Sequence, residues 1–219
     1  MIRLHYHPSN ASFVVNVLVR ELGQPFEPVL VDRAQGAHQA PAYLKLNPNG
    51  LIPVLEHDGL VLYETAAICL HLVDCFPQPR LAPPLATPER AHFYKWLVWL
   101  TNTLQATLIH YFYPERMVEA GNADGARQVR AAAQARVVAL LQQIDEQLGA
   151  HGGPWLLGAD YSAVDPYAFM LCRWTRGFDP VGSRPARDFA HIGPWMQRVL
   201  QRPAVQAAIA HEQLQPPLI

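Results

Sequence analysis

The stretch NPNGLIPVLEHDGLVLYETAAICLHLVD, residues 47–74, sets a proline at the mouth of a hydrophobic strand and a Glu64-Thr65 pair at the mouth of a helix. PVLEH and LVLY read as the arms of a hairpin, with Asp58-Gly59 supplying the turn. The helix runs from Thr65 to about Asp74 and turns Ile68, Leu72 and Val73 inward. A proline removes a ladder donor from a central strand and is tolerable at a strand start, which is where Pro53 stands. With a cis Ile52-Pro53 bond, the backbone N–H and C=O of Ile52 point outward as an edge for an extended peptide ligand. The plainer alternative is an ordinary turn proline. Thr65 reads as the helix N-cap, where free N–H groups and the helix dipole attract a carboxylate. Glu64 beside it suits an ammonium. Together they match the α-amino acid end of a ligand, and they equally serve as a simple cap and a dipole-favouring acid.

Working outward, IRLHY (2–6) reads as a strand and FEPVLV (26–31) as a second one. Between them Phe13, Val14, Val17, Leu18 and Leu22 share a stripe, so the spacing predicts a helix from about Ser12 to Leu22, ended by Gly23. The segment after the second strand is irregular, with room for a short helix. The order β-α-β-(α)-β-β-α implies a right-handed parallel crossover closed by an antiparallel hairpin. The loop HPSNAS (7–12) follows the first strand, and ligand sites in open α/β sheets favour the carboxyl ends of strands. Ser9, Asn10 and Ser12 bring hydroxyl and amide donors there, at a helix N-terminus. A polar loop that merely caps the helix is the alternative.

Residues 76–88, FPQPRLAPPLATP, hold five prolines and mark a stiff linker. Thr87-Pro88-Glu89 is a helix start: an N-cap, a proline at the first position, an acid in the first turn. One long helix is expected from Pro88 to about Tyr113, with Pro114 bending or stopping it. A second, from about Asp124 to Leu148, sets Val129, Ala133, Val137, Leu140, Ile144 and Leu148 on one face. YSAVDPYAFMLCRW begins a third, and IGPWMQRVLQRPAVQAAIA makes two short ones. The expected organisation is an α/β domain over 1–76, a linker over 77–88 and an all-α domain over 89–219.

Half of the 219 residues are hydrophobic and the formal net charge is −1, with no basic block. Neither nucleic acid nor an anionic membrane surface is implied as a partner. The first ten residues lack a signal layout, and no apolar run approaches the roughly 20 residues of a membrane span. Cys69, Cys75 and Cys172 include no C-x-x-C, which favours a reducing, cytoplasmic setting. Ten histidines show no H-E-x-x-H or similar cluster, so no metal is expected.

Taken together, these features resemble the cytosolic glutathione transferases over essentially the whole chain. NPNGLIPVLEHDGLVLYETAAICLHL is similar to their N-terminal signature. PWLLGADYSAVDPYAF resembles the C-terminal one, with Ser162 and Asp165 in S-x-x-D capping-box spacing. The resemblance implies a thioredoxin-like N-terminal domain (βαβαββα), a C-terminal all-helical domain, a bacterial homodimer and a role in detoxification. It puts the cysteinyl backbone of glutathione on Ile52, before a cis Pro53. The γ-glutamyl group falls on Glu64 and Thr65, and the glycyl arm near Asn49 and Leu51. The thiol-activating group belongs to the loop after the first strand. Where the Cys-type beta class carries its cysteine this chain has Ala11, and Ser classes place their serine near Asn10, so Ser9, Asn10 and Ser12 share the role. An S-x-x-S spacing, Ser9 to Ser12, stands in place of C-x-x-C and argues against dithiol chemistry by the protein. The resemblance also implies a small hydrophobic electrophile held between the domains, with Tyr111, Phe112, Tyr113, Arg116 and Trp174 as its candidate wall. Aromatic residues at such spacing equally form core. The expected reaction is attack of the glutathione thiolate on the electrophile. The alternatives are a glutathione-dependent peroxidase or disulfide-bond reductase, and a non-catalytic glutathione-binding protein.

Overall fold

Strand β1 (Ile2–Tyr6) lies at the centre of the N-terminal sheet because both of its neighbours arrive by the connections expected from the sequence. The computed structural model describes residues 1–178 and 183–219. Helix α1 (Ser12–Glu21) crosses over to β2 (Phe26–Leu30), which pairs parallel to β1 with Tyr6 opposite Leu30. After short helix α2 (Pro41–Leu44), strands β3 (Val54–His57) and β4 (Leu60–Tyr63) form the antiparallel hairpin. The sheet order is β2-β1-β3-β4. Asp58 and Gly59 take φ of +48° and +89°, the left-handed pair that a two-residue hairpin turn requires. Helix α3 (Thr65–Cys75) buries Ile68, Cys69, Leu72 and Val73.

The remaining helices are α4 (Pro88–Trp99), α5 (Ala106–Phe112), α6 (Ala123–His151), α7 (Val164–Trp174), α8 (Ile192–Leu200) and α9 (Pro203–His211). The single long helix expected over 88–113 is continuous but not uniform, because Leu100–Gln105 between α4 and α5 winds as a π-helix. Thr87 caps α4 by accepting from the Arg90 N–H at 3.2 Å, and Tyr113 leaves the helix before Pro114 as the missing N–H demands. The S-x-x-D segment is half of a capping box. Asp165 reaches back to the Ser162 N–H at 2.9 Å, but the serine hydroxyl points at that same carboxylate at 3.4 Å instead of accepting from the helix.

The chain forms two compact units. The first holds Met1–Ala82 together with Leu200–Pro216, and the second holds Pro83–Val199 with the last three residues. The sequence places 200–216 with the helical domain; in the structure α9 packs on α1 instead. The consequence is visible in α1, where Ser12 through Val19 are all buried, not only the predicted stripe. Its outer face is covered by the C-terminal segment. Asn16 Nδ2 donates to Glu212 Oε1 at 3.1 Å, and Arg202 forks onto the Glu21 carboxylate at 2.6 and 2.7 Å. In the second unit α7 is apolar nearly all round and central, with Tyr167, Phe169 and Leu171 fully buried. Asp165 closes that core, accepting from Leu156 N–H at 2.8 Å and Trp195 Nε1–H at 3.2 Å.

Candidate functional site

Strand register brings the three sequence segments to one end of the sheet. His5, next to the last residue of β1, lies opposite Val54, the first of β3; Val54 lies opposite Tyr63, the last of β4. Chain direction then does the rest. The 7–12 loop leaves β1, the Ile52-Pro53 bond enters β3, and Glu64-Thr65 follows β4, all at the same edge.

The Ile52-Pro53 bond is cis, as expected. Among the described residues neither the N–H nor the C=O of Ile52 has a hydrogen-bond partner within the chain. Its neighbour is held firmly instead. The Leu51 carbonyl accepts from Tyr43 Oη–H at 2.8 Å and Asn47 Nδ2–H at 2.9 Å, while Asn47 Oδ1 accepts from the Asn49 N–H at 3.0 Å. Burial pushes the Tyr43 phenol up, so it stays a donor at any working pH. Gly50 takes φ +61°, and a Cβ there would lie 3.0 Å from the His38 carbonyl oxygen, so glycine is the residue that fits this turn with least strain. Asn49 and Leu51 themselves are exposed.

Glu64, not Thr65, occupies the N-cap position of α3; Thr65 is the first helical residue. The shift has a backbone cause. Glu64 adopts φ +73°, ψ +110°, a region an L-residue enters only against steric resistance worth about 1–3 kcal/mol. The carboxylate is thereby exposed while Thr65 is buried at 7%. Strain of this kind clusters at ligand clamps.

In the 7–12 loop the three candidates divide by their bonding. Ser12 is fully buried, and its hydroxyl accepts from His7 N–H at 3.2 Å and donates to His7 O at 3.1 Å. It closes the loop on itself. Asn10 Oδ1 accepts from the Ala11 N–H at 2.7 Å, so Nδ2 is left as a donor with no partner among the described residues. Ser9 sits at φ +61°, with its N–H held by Glu212 Oε2 at 2.9 Å.

Two family profiles match the chain: "Glutathione S-transferase, N-terminal domain" over residues 1–74 and "Glutathione S-transferase, C-terminal domain" over residues 100–203. The chain belongs to the glutathione S-transferase family. Glutathione S-transferase GstA of Escherichia coli O157:H7 is 27% identical over 215 residues, covering 97% of this chain and all of that protein. A glutathione transferase homologue from Sulfitobacter, solved with bound glutathione, superimposes with a TM-score of 0.85 at 27% identity, over 98% of this chain and 99% of that one. The transcriptional regulator URE2 of Saccharomyces cerevisiae is also 27% identical, over 91% of this chain and 65% of its own length.

Within this glutathione S-transferase fold, sequence reasoning missed Tyr43, Asn47 and Glu212, which support the site without facing its edge. Asn47 carried a signal in the NPNG turn; Tyr43 carried none because a single side-chain bond to Leu51 leaves no pattern, and Glu212 none because its partners Ser9 and Asn16 are about 200 residues away in sequence. In the second unit Tyr111 is buried, hydrogen-bonded to Arg130 at 3.1 Å and stacked against Phe178 at 4.3 Å, which is core behaviour. Arg116 lies over the Tyr113 ring at 4.0 Å, and Phe112 meets Trp174 edge-on at 6.2 Å.

Proposed function

We propose that the protein is a glutathione transferase that lowers the thiol pKa of bound glutathione and delivers the thiolate to a small hydrophobic electrophile. The observation that carries this reading is the Ile52 backbone, unpaired and next to a carbonyl held from both sides, at the same sheet edge as the strained Glu64. An extended γ-Glu-Cys-Gly tripeptide has the matching groups. Its cysteinyl N–H and C=O pair with Ile52 as an added strand. Its γ-glutamyl ammonium meets the Glu64 carboxylate, and its γ-glutamyl carboxylate meets the N-terminus of α3 at Thr65. Asn49 and Leu51 flank the glycyl arm.

Activation needs no strong base. Lowering a thiol from about 8.5–9 to roughly 6.5–7 requires about 2.7 kcal/mol. One or two hydrogen bonds to the thiolate, at roughly 1.5–3 kcal/mol each, supply it together with the N-terminus of α1. We assign the principal donor to Asn10 Nδ2, with Ser9 beside it, and Ser12 to holding the loop. The electrophile contacts we retain are Tyr113, Arg116 and Trp174, with Tyr111 as their packing support. A homodimer in the cytoplasm completes the reading; Tyr94 and Val98, exposed one turn apart on α4, give it an apolar surface to bury.

The test is retention on immobilised glutathione, followed by chloronitrobenzene conjugation and peroxide reduction side by side. Conjugation supports the transferase; peroxide reduction alone would reassign it as a peroxidase or reductase. The relative named as a transcriptional regulator favours one further alternative, glutathione binding with no turnover of either substrate. Failure to bind glutathione at all overturns the whole reading.

A further inference from the structure

At the opposite end of the sheet, remote from the Ile52 edge, three metal-binding side chains converge. His57 ends β3 opposite Ile2, and His71 and Cys75 stand one turn apart near the end of α3. Their ligand atoms all lie within 4.8 Å of one another. His57 Nδ1 and His71 Nε2 are 2.9 Å apart, and Cys75 Sγ is 3.7 Å from both ring nitrogens of His71. We propose that His57, His71 and Cys75 form a zinc-binding site.

Two of the three separations lie close to those of that ion, and the third, Cys75 to His57, is within 4.8 Å. Tetrahedral zinc with Zn–N of about 2.05 Å and Zn–S of about 2.3 Å separates its ligand atoms by about 3.3 Å for N···N and about 3.6 Å for N···S. The imidazole pair opens by a few tenths of an ångström. The His71 ring, now equidistant from the sulfur through both nitrogens, turns to aim Nε2 inward. Both adjustments fall on side chains free to make them, since the histidines are half-buried and Cys75 is exposed. A carboxylate stands nearby: Asp58 Oδ2 lies 3.6 Å from His57 Nε2, and on closing to hydrogen-bond distance it would fix the tautomer that leaves Nδ1 for the metal. The Phe76 ring, 5.5 Å from that of His57, shields one flank. Two imidazoles and a thiolate make a donor set for zinc, with water in the fourth position. Binding releases the thiol proton and moves the one proton between the two rings to the outer nitrogen of the ring that carried it. No motif announces the site, because the spacing H-x13-H-x3-C joins a strand end to a helix end.

The full-length protein is titrated with Co2+ as a spectroscopic stand-in and then with Zn2+. The expected result is one equivalent per chain, tetrahedral cobalt bands with a thiolate charge-transfer band, and their displacement by zinc. Modification of Cys75 by an aromatic disulfide reagent should slow roughly tenfold once free zinc reaches ten times its Kd. Cys69 and Cys172 are buried and serve as silent thiols. Cys75→Ser and His71→Ala, each verified as folded by circular dichroism, should abolish the charge-transfer band, the first because the sulfur is gone and the second because the site loses its centre. Retention on immobilised glutathione should be unchanged in Cys75→Ser, which separates this site from the proposed glutathione edge. An octahedral cobalt spectrum without thiolate character, undiminished binding in His71→Ala, or Cys75 modification indifferent to zinc would each overturn the proposal.

Discussion

Glu64 is where one residue carries the most information. Its φ of +73° disfavours every side chain and is removed as an obstacle only by glycine. Glu64→Gly and Glu64→Ala should therefore part company. Both lose the carboxylate and should weaken glutathione binding roughly tenfold, the loss of about 1.4 kcal/mol expected of one charge-assisted contact. Glu64→Gly should be the more stable of the two by about 1 kcal/mol, because it sheds strain that alanine keeps. Equal urea midpoints would show that the backbone is relaxed there. Asp165 makes a second prediction at this scale. Burial pushes its carboxyl up to about 6, against the hydrogen bonds from Leu156, Ser162 and Trp195, which favour the anion. The unfolded value is about 3.9, so between those two values the native state holds more proton than the unfolded one. Stability should fall as pH rises from about 4 to 6 and then level off, by up to about 2.7 kcal/mol from this group alone. Urea unfolding across that window should show the slope in the parent chain and lose that part of it in Asp165→Asn.

Among elements, the loop entering β3 has the sharpest division of labour. Asn47 is 2% exposed and bonds both Leu51 O and Asn49 N–H, whereas Leu51 is 54% exposed. Asn47→Ala should destabilise the protein by about 1–3 kcal/mol, through the loss of two part-buried hydrogen bonds of the loop, and should raise the KM for glutathione. Leu51→Ala should change neither by more than about 0.5 kcal/mol, since its backbone does the work. Thermal melts and glutathione KM values for the pair decide this; parity between the two would remove the clasp from the argument. The same loop shows what a sequence can and cannot disclose. The hairpin, its Asp58-Gly59 turn and the proline at its mouth were legible because each depends on local dihedral preferences. Tyr43 was not, because its role is a single side-chain bond to the Leu51 carbonyl that leaves no periodic trace. The one-residue shift of the α3 cap from Thr65 to Glu64 was hidden too, since it rests on a conformation that propensity argues against. Likewise the π-helical turn at Leu100–Gln105 follows no pattern visible in LTNTLQ.

At the scale of the molecule, the misplaced segment is the instructive one. The short helix at Pro203–His211 was read from the sequence, yet residues 200–216 belong with the first unit, and the clue was the excess of apolar residues on α1. A single amphipathic stripe suffices for a helix lying on a sheet; Val15 and Val19, buried beyond that stripe, require a second cover. Helix α9 provides it, with Val205 and Ala208 fully buried, His211 against Tyr6 at 4.9 Å, and Glu212 reaching both Asn16 and the Ser9 N–H. The C-terminal segment thus shapes the loop that carries the proposed thiol-activating residues. It follows that residues 1–82 should not fold alone, although they contain the entire sheet and all of the glutathione contacts proposed above. Burying an aliphatic side chain is worth about 1.5–3 kcal/mol, so uncovering that face of α1 removes a large share of a small unit's stability. A fragment spanning 1–82 should show weak, broad thermal unfolding and no retention on immobilised glutathione. Joining residues 200–216 to it through a flexible linker should restore a cooperative melt and some retention. A 1–82 fragment that melts cooperatively and binds glutathione unaided would mean that α9 only decorates the unit, and that Glu212 has no part in setting the loop.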